Sequence, residues 1–263
     1  MARKAGGTFL LRIEDIDQSR ARPHWEAQIC DDLRWLGLDW PGPVLRQSDN
    51  LPRYAAALDR LWAEGLIYPC TCSRRDIAAA ASAPQEGAAP PSGPDGLIYP
   101  GTCRPTHPGP RSGPRPTDAL RLDLTAALAR LTGPRAPTAL HYTETGTGSP
   151  RRHVIDPDAA LQEIGDVVLA RRDMGTSYHL SVVIDDADQA ITDVIRGADL
   201  AEATAIHVIL QSLLGLPIPR YHHHRLIRDD SGKRLAKRDD ARALASYRAQ
   251  GATPADIRRM VGL

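Results

Sequence analysis

Two short apolar runs constrain this chain more than any other feature of its sequence. Asp166-Val167-Val168-Leu169 and Leu180-Ser181-Val182-Val183-Ile184-Asp185 are rich in β-branched residues and do not alternate with polar ones. Such runs predict strands buried on both faces, an environment that a sheet covered by helices supplies. Helical spacing occupies much of the remaining chain. Pro23 suits the first position of a helix with Trp25, Ile29, Leu33 and Leu36 on one face and Gly37 as its stop. Pro52 opens a second, carrying Tyr54, Leu58, Leu61 and Trp62 before Gly65. A third runs from about Ala201 to Leu214, with Ile206, Ile209, Leu210 and Leu213, and stops at Gly215. Further strands are expected at Phe9–Glu14, around Arg121 and His141, and near Tyr221–Ile227. The chain ends in a helix over Asp240–Ala249 and a short one capped by Thr253-Pro254. Strands and helices in this order belong to the α/β class.

Composition changes after Asp76. Ile77 to Leu97 is rich in Ala, Pro and Gly without an apolar period, and reads as a disordered or loosely held surface insertion. Arg104 to Pro116 is a second stretch of Pro, Arg and Gly. The 263 residues suffice for one large domain or two small ones, with 42% hydrophobic and 25% charged residues as in ordinary globular proteins. No apolar run approaches the roughly 20 residues that span a bilayer. Met1 to Gly7 has no signal-peptide apolar region, so a cytoplasmic protein without a membrane partner is expected. Four cysteines are too few for a disulfide scaffold, and the clustering of three points to metal binding in a reducing compartment. A net charge of +1 leaves any nucleic-acid surface to a local patch.

Three features carry chemistry. Of 33 basic residues only Lys4, Lys233 and Lys237 are lysines, and two of them fall in the loop Asp229–Arg238 after the last strand. Nucleotides dock at strand carboxyl ends in α/β sheets, and a compact ammonium suits a phosphate whose charge grows during reaction. Lys237 is therefore a candidate for stabilising a triphosphate transition state, against the plainer reading of a solvated basic turn. Cys70-Thr71-Cys72 and Tyr99-Pro100-Gly101-Thr102-Cys103 offer three thiolates and a phenolate. They could close a tetrahedral zinc shell or be unligated thiols beside a core tyrosine. His222-His223-His224 cannot converge on one ion, because neighbours on a strand point to opposite faces, and reads as a strand-end surface. Cys30, on the apolar side of a helix, reads as a core residue.

Arg234-Leu235-Ala236-Lys237-Arg238 resembles the lysine signature of class I aminoacyl-tRNA synthetases in the form of the glutamyl enzymes, with Arg234 and Ala236 at altered positions. Leu11–Asp17, Gly165–Arg171, Tyr178–Asp186 and Ile191–Leu200 resemble further segments of that family, in the same order and at similar spacing. The resemblance implies a Rossmann-like class I catalytic domain with an inserted zinc-bearing subdomain. It implies that Glu14 receives the amino group of L-glutamate, that Arg196 pairs with a substrate carboxylate, and that Tyr178 lines the amino-acid pocket. Taken singly, these residues also fit a helix-capping acid, a surface ion pair and a half-buried aromatic. The queuosine-glutamylating branch has two cysteines, a tyrosine and a cysteine after Tyr-Pro. That similarity favours structural Zn2+ on Cys70, Cys72, Tyr99 and Cys103.

The expected organisation is residues 1–67 as the first part of the catalytic domain, 68–160 as the zinc-bearing insertion with a loop at about 77–97, 161–228 as the second part, and 229–263 as the lysine loop with terminal helices. By the same resemblance the family's His-Ile-Gly-His-like ATP motif, with its first strand and helix, would precede Ala2, so roughly 30 residues are expected to be missing. The length after the lysine loop favours the branch lacking an anticodon-binding domain. The resemblance thus implies a monomeric ligase that activates L-glutamate with ATP and Mg2+ and transfers it to queuosine in tRNA(Asp). A fragment of an enzyme charging tRNA(Glu), or an inactive zinc- and RNA-binding relative, are the alternatives.

Overall fold

The computed structural model describes residues 1–82, 90–107, 109–133, 139–146, 148–228, 232 and 243–263. They form two compact units, Met1–Asp49 with Arg225–Leu263, and Asn50–His224. In the first, β1 (Arg12–Ile13) pairs in parallel with β2 (Leu45–Arg46). The strand expected from Phe9 is only these two residues, with Ile13 buried and Phe9 exposed. After β1, Asp15 accepts from the backbone N–H (2.9 Å) and hydroxyl (2.6 Å) of Ser48. Helix α1 (Pro23–Trp35) begins at the expected proline, but Trp25 and Ile29 stay exposed. Spacing determines which residues share a helix face; burial also needs a layer to cover it.

The second unit opens with α2 (Leu51–Ala63), whose Tyr54, Ala57, Leu58 and Leu61 are buried. Next come β3 (Ile67–Cys70), α3 (Arg74–Ser82), the hairpin of β4 (Ser92–Gly93) and β5 (Gly96–Leu97), β6 (Ala119–Leu122) and α4 (Leu124–Thr132). Part of the expected loose insertion is thus a helix and a hairpin; residues 83–89 lie outside the described residues. Alanine accounts for the helix, since it loses no side-chain entropy there. The chain continues through β7 (His141–Glu144), β8 (Arg151–Val154), α5 (Pro157–Glu163), β9 (Val168–Ala170), α6 (Tyr178–Asp188), β10 (Asp193–Gly197), α7 (Thr204–Leu214) and β11 (Arg220–His224). Besides the β4-β5 hairpin, the described residues of this unit form two larger sheets: an antiparallel β3-β6-β9, and β10-β11-β7-β8, parallel except for the last pair.

One expectation fails outright. Leu180–Asp185 is not a strand but the middle of α6, capped by the Ser177 side chain. His179 to Asp185 are all buried. A segment enclosed on every side has no polar face, so its apolar pattern cannot distinguish helix from strand. Asp185 is completely buried and accepts from Tyr54 Oη (2.8 and 2.9 Å) and Asn50 Nδ2 (2.8 Å), joining α6 to the start of α2.

In the first unit, α8 (Leu244–Ala249) and α9 (Pro254–Met260) complete the chain. The expected cap of α9 is a reciprocal box: Asp256 N–H donates to Thr253 Oγ1 (3.3 Å) and Thr253 N–H to Asp256 Oδ2 (2.8 Å). Arg248 of α8 donates to Asp32 of α1 at 3.1 Å. No helix among the described residues is long and apolar enough to cross a membrane.

Replacing Tyr54 by Phe keeps the packing but deprives the buried Asp185 of a donor. Urea unfolding should show a loss of about 1–3 kcal/mol; an unchanged midpoint would mean that the Asn50 contact suffices.

Candidate functional site

Arg196 lies on β10 directly across from His223 of β11. Side chains at such a pair stand on the same sheet face, within reach of each other. The Arg196 Nε–H donates to His223 Nε2 at 3.1 Å, one Nη–H faces His207 Nδ1 at 2.9 Å, and the other nitrogen donates to Thr204 Oγ1 at 2.7 Å. Thr204 and His207 lie one turn apart on α7 and are both buried. The guanidinium also lies over the Tyr221 ring, 5.2 Å from its centre. Three of the five guanidinium N–H groups are held by these partners, and two remain, the number a bidentate carboxylate contact uses. Among the described residues no carboxylate contacts Arg196 directly.

His223 is one step removed from an acid. Its Nδ1 hydrogen-bonds Glu144 Oε2 on β7, and its backbone N–H donates to Glu144 Oε1 at 3.1 Å. Burial works against ionisation of Glu144, but the hydrogen bonds from His223 and from Gly146 N–H outweigh it and hold the carboxyl below the usual glutamate value. Gly146 has to be glycine here: a Cβ would meet His223 O at 2.4 Å and Glu144 Oε1 at 2.8 Å. The histidine run is therefore not all surface, since His223 faces inward with a nearly enclosed side chain. On the α6 side, His207 Nε2 meets His179 Nδ1 at 3.1 Å, and His179 Nε2 meets Asp95 Oδ1 at 3.4 Å. The half-buried Tyr178 ring packs 5.7 Å from that of His207. Tyr178 and Arg196 thus meet at one histidine.

The thiol cluster forms a second centre. Cys70 ends β3, and Tyr99 and Cys103 flank a turn in which Gly101 takes φ 83°, a conformation that excludes most side chains. The sulfurs of Cys70, Cys72 and Cys103 lie within 4.8 Å of one another, with Cys72 and Cys103 at 3.5 Å. Tyr99 Oη is 3.5 Å from Cys70 Sγ and 3.4 Å from Cys72 Sγ. A tetrahedral zinc with ordinary bond lengths would separate sulfur from sulfur by about 3.8 Å and oxygen from sulfur by about 3.5 Å, so the donor set fits. The Tyr99 hydroxyl pulls the Cys103 thiol down to about 7 and so favours thiolate, although burial opposes it. Burial and the surrounding thiols push the Tyr99 phenol the other way. Arg121 on β6 covers the cluster, 3.9 Å above the Tyr99 ring, with Nε donating to Cys70 Sγ at 3.3 Å.

Glu14 belongs to the first unit, one residue beyond β1, where it meets Arg12 at 3.3 Å. Lys237 and most of its loop lie outside the described residues. Cys30 is half-buried rather than a full core residue, because α1 is only partly covered. Sequence reasoning passed over Glu144, His179, Thr204 and His207. A signal existed for two of them: Thr204, His207 and Gln211 put polar groups at i, i+3 and i+7 on a helix whose one other polar residue is Ser212.

The model of the family described as tRNA synthetases class I (E and Q), catalytic domain, matches residues 1–92 and 154–263. The chain belongs to this family. Among curated members, a glutamyl-Q tRNA(Asp) synthetase of Rhodobacter capsulatus is 64% identical over all of this chain and 91% of its own length. Another of Symbiobacterium thermophilum is 41% identical over 97% of this chain and 76% of its own. The crystal structure of a glutamate-tRNA synthetase from Elizabethkingia anophelis shares the fold, with a TM-score of 0.67 at 21% identity over 97% of this chain; the chain spans 55% of that longer one. The mixed sheets and helices are thus those of a class I tRNA synthetase catalytic domain. Within this class I domain, Arg196, Tyr178 and His207 form one polar centre, and residues 93–153 fall outside the family match.

Burial, with the positive charge of Arg196 close by, pushes the His207 imidazole well below the usual histidine value. A histidine depressed in this way adds stability that is present above the unfolded value of 6.5 and is lost as pH falls toward its folded value. Urea unfolding from pH 7.5 to 5 should therefore show stability falling below about pH 6.5, by up to ~1.4 kcal/mol per pH unit from this group. His207→Gln should flatten that limb, and an unaltered limb would assign it elsewhere.

Proposed function

We propose that this chain activates L-glutamate with Mg-ATP and transfers it to queuosine in tRNA(Asp). The similarity to the Rhodobacter capsulatus glutamyl-Q tRNA(Asp) synthetase, 64% identity over the whole chain, carries the reading. The Arg196 geometry supports it: an arginine without a direct carboxylate partner among the described residues, with two N–H groups left over, suits an anionic substrate.

In the first step an oxygen of the glutamate α-carboxylate bonds to the α-phosphorus of ATP and the bond to pyrophosphate breaks. Arg196 pairs with the carboxylate that does not react, since pairing would blunt the nucleophile. Glu14 takes the ammonium, Tyr178 lines the pocket, and Lys237 offsets the charge that grows on departing pyrophosphate. In the second step a hydroxyl of the queuosine cyclopentene attacks the glutamyl carbonyl, and AMP leaves with the bonding electrons. No protein nucleophile takes part. Cys70, Cys72, Tyr99 and Cys103 would hold a structural Zn2+, which would tie the end of β3 to the turn at Gly101. Arg121, which donates to Cys70 Sγ, would offset the excess negative charge of three thiolates around such a dication.

Glutamate-dependent ATP–pyrophosphate exchange without tRNA is the first expected activity, and Lys237→Ala should reduce it roughly 100- to 1000-fold. Labelled glutamate should reach tRNA(Asp) that carries queuosine and neither tRNA(Asp) with guanosine at the wobble position nor tRNA(Glu); charging of tRNA(Glu) would overturn the transfer step. Purified protein should carry one zinc per chain by elemental analysis and lose it on Cys103→Ser; a metal-free protein with full exchange activity would refute the zinc assignment.

A further inference from the structure

A guanidinium can donate hydrogen bonds but cannot accept them, and this one property propagates through the histidines around Arg196. Because His207 Nδ1 faces an Arg196 Nη–H at 2.9 Å, that nitrogen must be bare and the imidazole proton must sit on Nε2. His207 Nε2–H then donates to His179 Nδ1 at 3.1 Å, which puts the His179 proton on Nε2, aimed at Asp95 Oδ1 at 3.4 Å. In the other direction, His223 Nε2 accepts the Arg196 Nε–H at 3.1 Å, so its proton sits on Nδ1 and is given to Glu144 Oε2. The chain of bonds runs from Asp95 through two imidazoles to the guanidinium, and through a third to Glu144. Every donor in it faces an acceptor, with each imidazole neutral.

We propose that His207 and His223 are positioning residues that hold the Arg196 guanidinium for a substrate carboxylate, and that they do so as neutral imidazoles in one tautomer each: His207 protonated on Nε2 and His223 on Nδ1. The inference rests on the reading of Arg196 as the carboxylate contact. The alternative tautomer of either ring would turn an N–H toward an N–H of the guanidinium and break the hold. Thr204 fixes the third nitrogen, so the fork is clamped from three sides with its remaining N–H groups left to the ligand. The carboxylates at the two ends act at a distance. Glu144 orients His223 and Asp95 orients His179 without neutralising Arg196, so its charge stays available. Direct ion pairing to either acid would put an internal carboxylate in competition with the substrate.

The test has one arm that does not depend on activity. Long-range 15N–1H spectra of the wild-type protein near pH 7.5 report which nitrogen of each histidine carries the proton. The expected pattern is Nε2–H for His207 and His179 and Nδ1–H for His223, with the Arg196 guanidinium N–H resonances resolved by slow rotation. A His207 protonated on Nδ1, or a freely rotating guanidinium, would overturn the proposal whatever the enzyme does. In the second arm, His207→Leu should raise the glutamate KM in pyrophosphate exchange by roughly 10- to 100-fold, with kcat and the ATP KM little changed. His207→Gln, which retains an acceptor and a donor, should recover most of that loss. Equal defects in the two variants, or a loss confined to kcat, would refute the positioning role. Wild-type protein that neither binds nor activates glutamate would instead remove the functional reading, while the spectra still decide the tautomers.

Discussion

A carboxyl group taken out of water must be given donors, and three such groups hold the second unit together. Asp166 is almost fully buried and receives Tyr68 Oη from β3, Arg104 Nε at 2.7 Å and the Leu124 N–H of α4 at 3.0 Å. Asp185 receives Tyr54 and Asn50 from α2 and its entry. Glu144 receives the His223 side chain and two backbone N–H groups. Each acid sits where separate elements have to meet, and loss of one partner would leave a polar group unsatisfied in the core. Hydrophobic burial drives the collapse but is indifferent to register; these acids specify which elements abut.

The same logic links the frame to the thiol cluster. Arg121 donates to the backbone oxygen of Asp166 at 2.7 Å, to Cys70 Sγ at 3.3 Å, and covers the Tyr99 ring. Arg104, next to Cys103, binds the Asp166 carboxylate. Two arginines therefore tie the donor set to the β3-β6-β9 sheet, and the cluster is pre-shaped by contacts that do not involve an ion. Side chains held this way would lose less entropy on taking up an ion than free ones.

The sequence disclosed what is local or repeated as a motif. Proline starts, glycine stops and the Thr253 cap lie within a few residues of their cause, and the local clustering of three cysteines shows directly in the sequence. Leu180–Asp185 misled because enclosure on all sides erases periodicity, leaving β-branched content as the only guide; the Ser177 cap was the overlooked cue. The polar centre around Arg196 was hidden for a different reason. Glu144 and His223 are 79 residues apart, His179 and Asp95 84, so no short window contains either of these pairs. Only Thr204, His207 and Gln211 left a trace, as polar intrusions on an apolar helix. Arg196 and Tyr178 were found by resemblance, whereas the histidines that surround them follow from geometry alone.

That geometry answers a problem faced by any site that must recognise an anion with a half-buried arginine. The guanidinium has to be held rigidly, yet the obvious anchor, an internal carboxylate, would cancel the charge that makes it useful. Neutral imidazoles and a hydroxyl avoid this: they accept the N–H groups and supply no negative charge of their own. Their cost is that an imidazole accepts on one nitrogen only when its proton is parked on the other, so each needs a further acceptor behind it. Glu144 and the His179–Asp95 relay fill that need at a distance from the cation. The arrangement separates fixing the arginine from neutralising it, which is what the proposed role of Arg196 as a carboxylate contact requires.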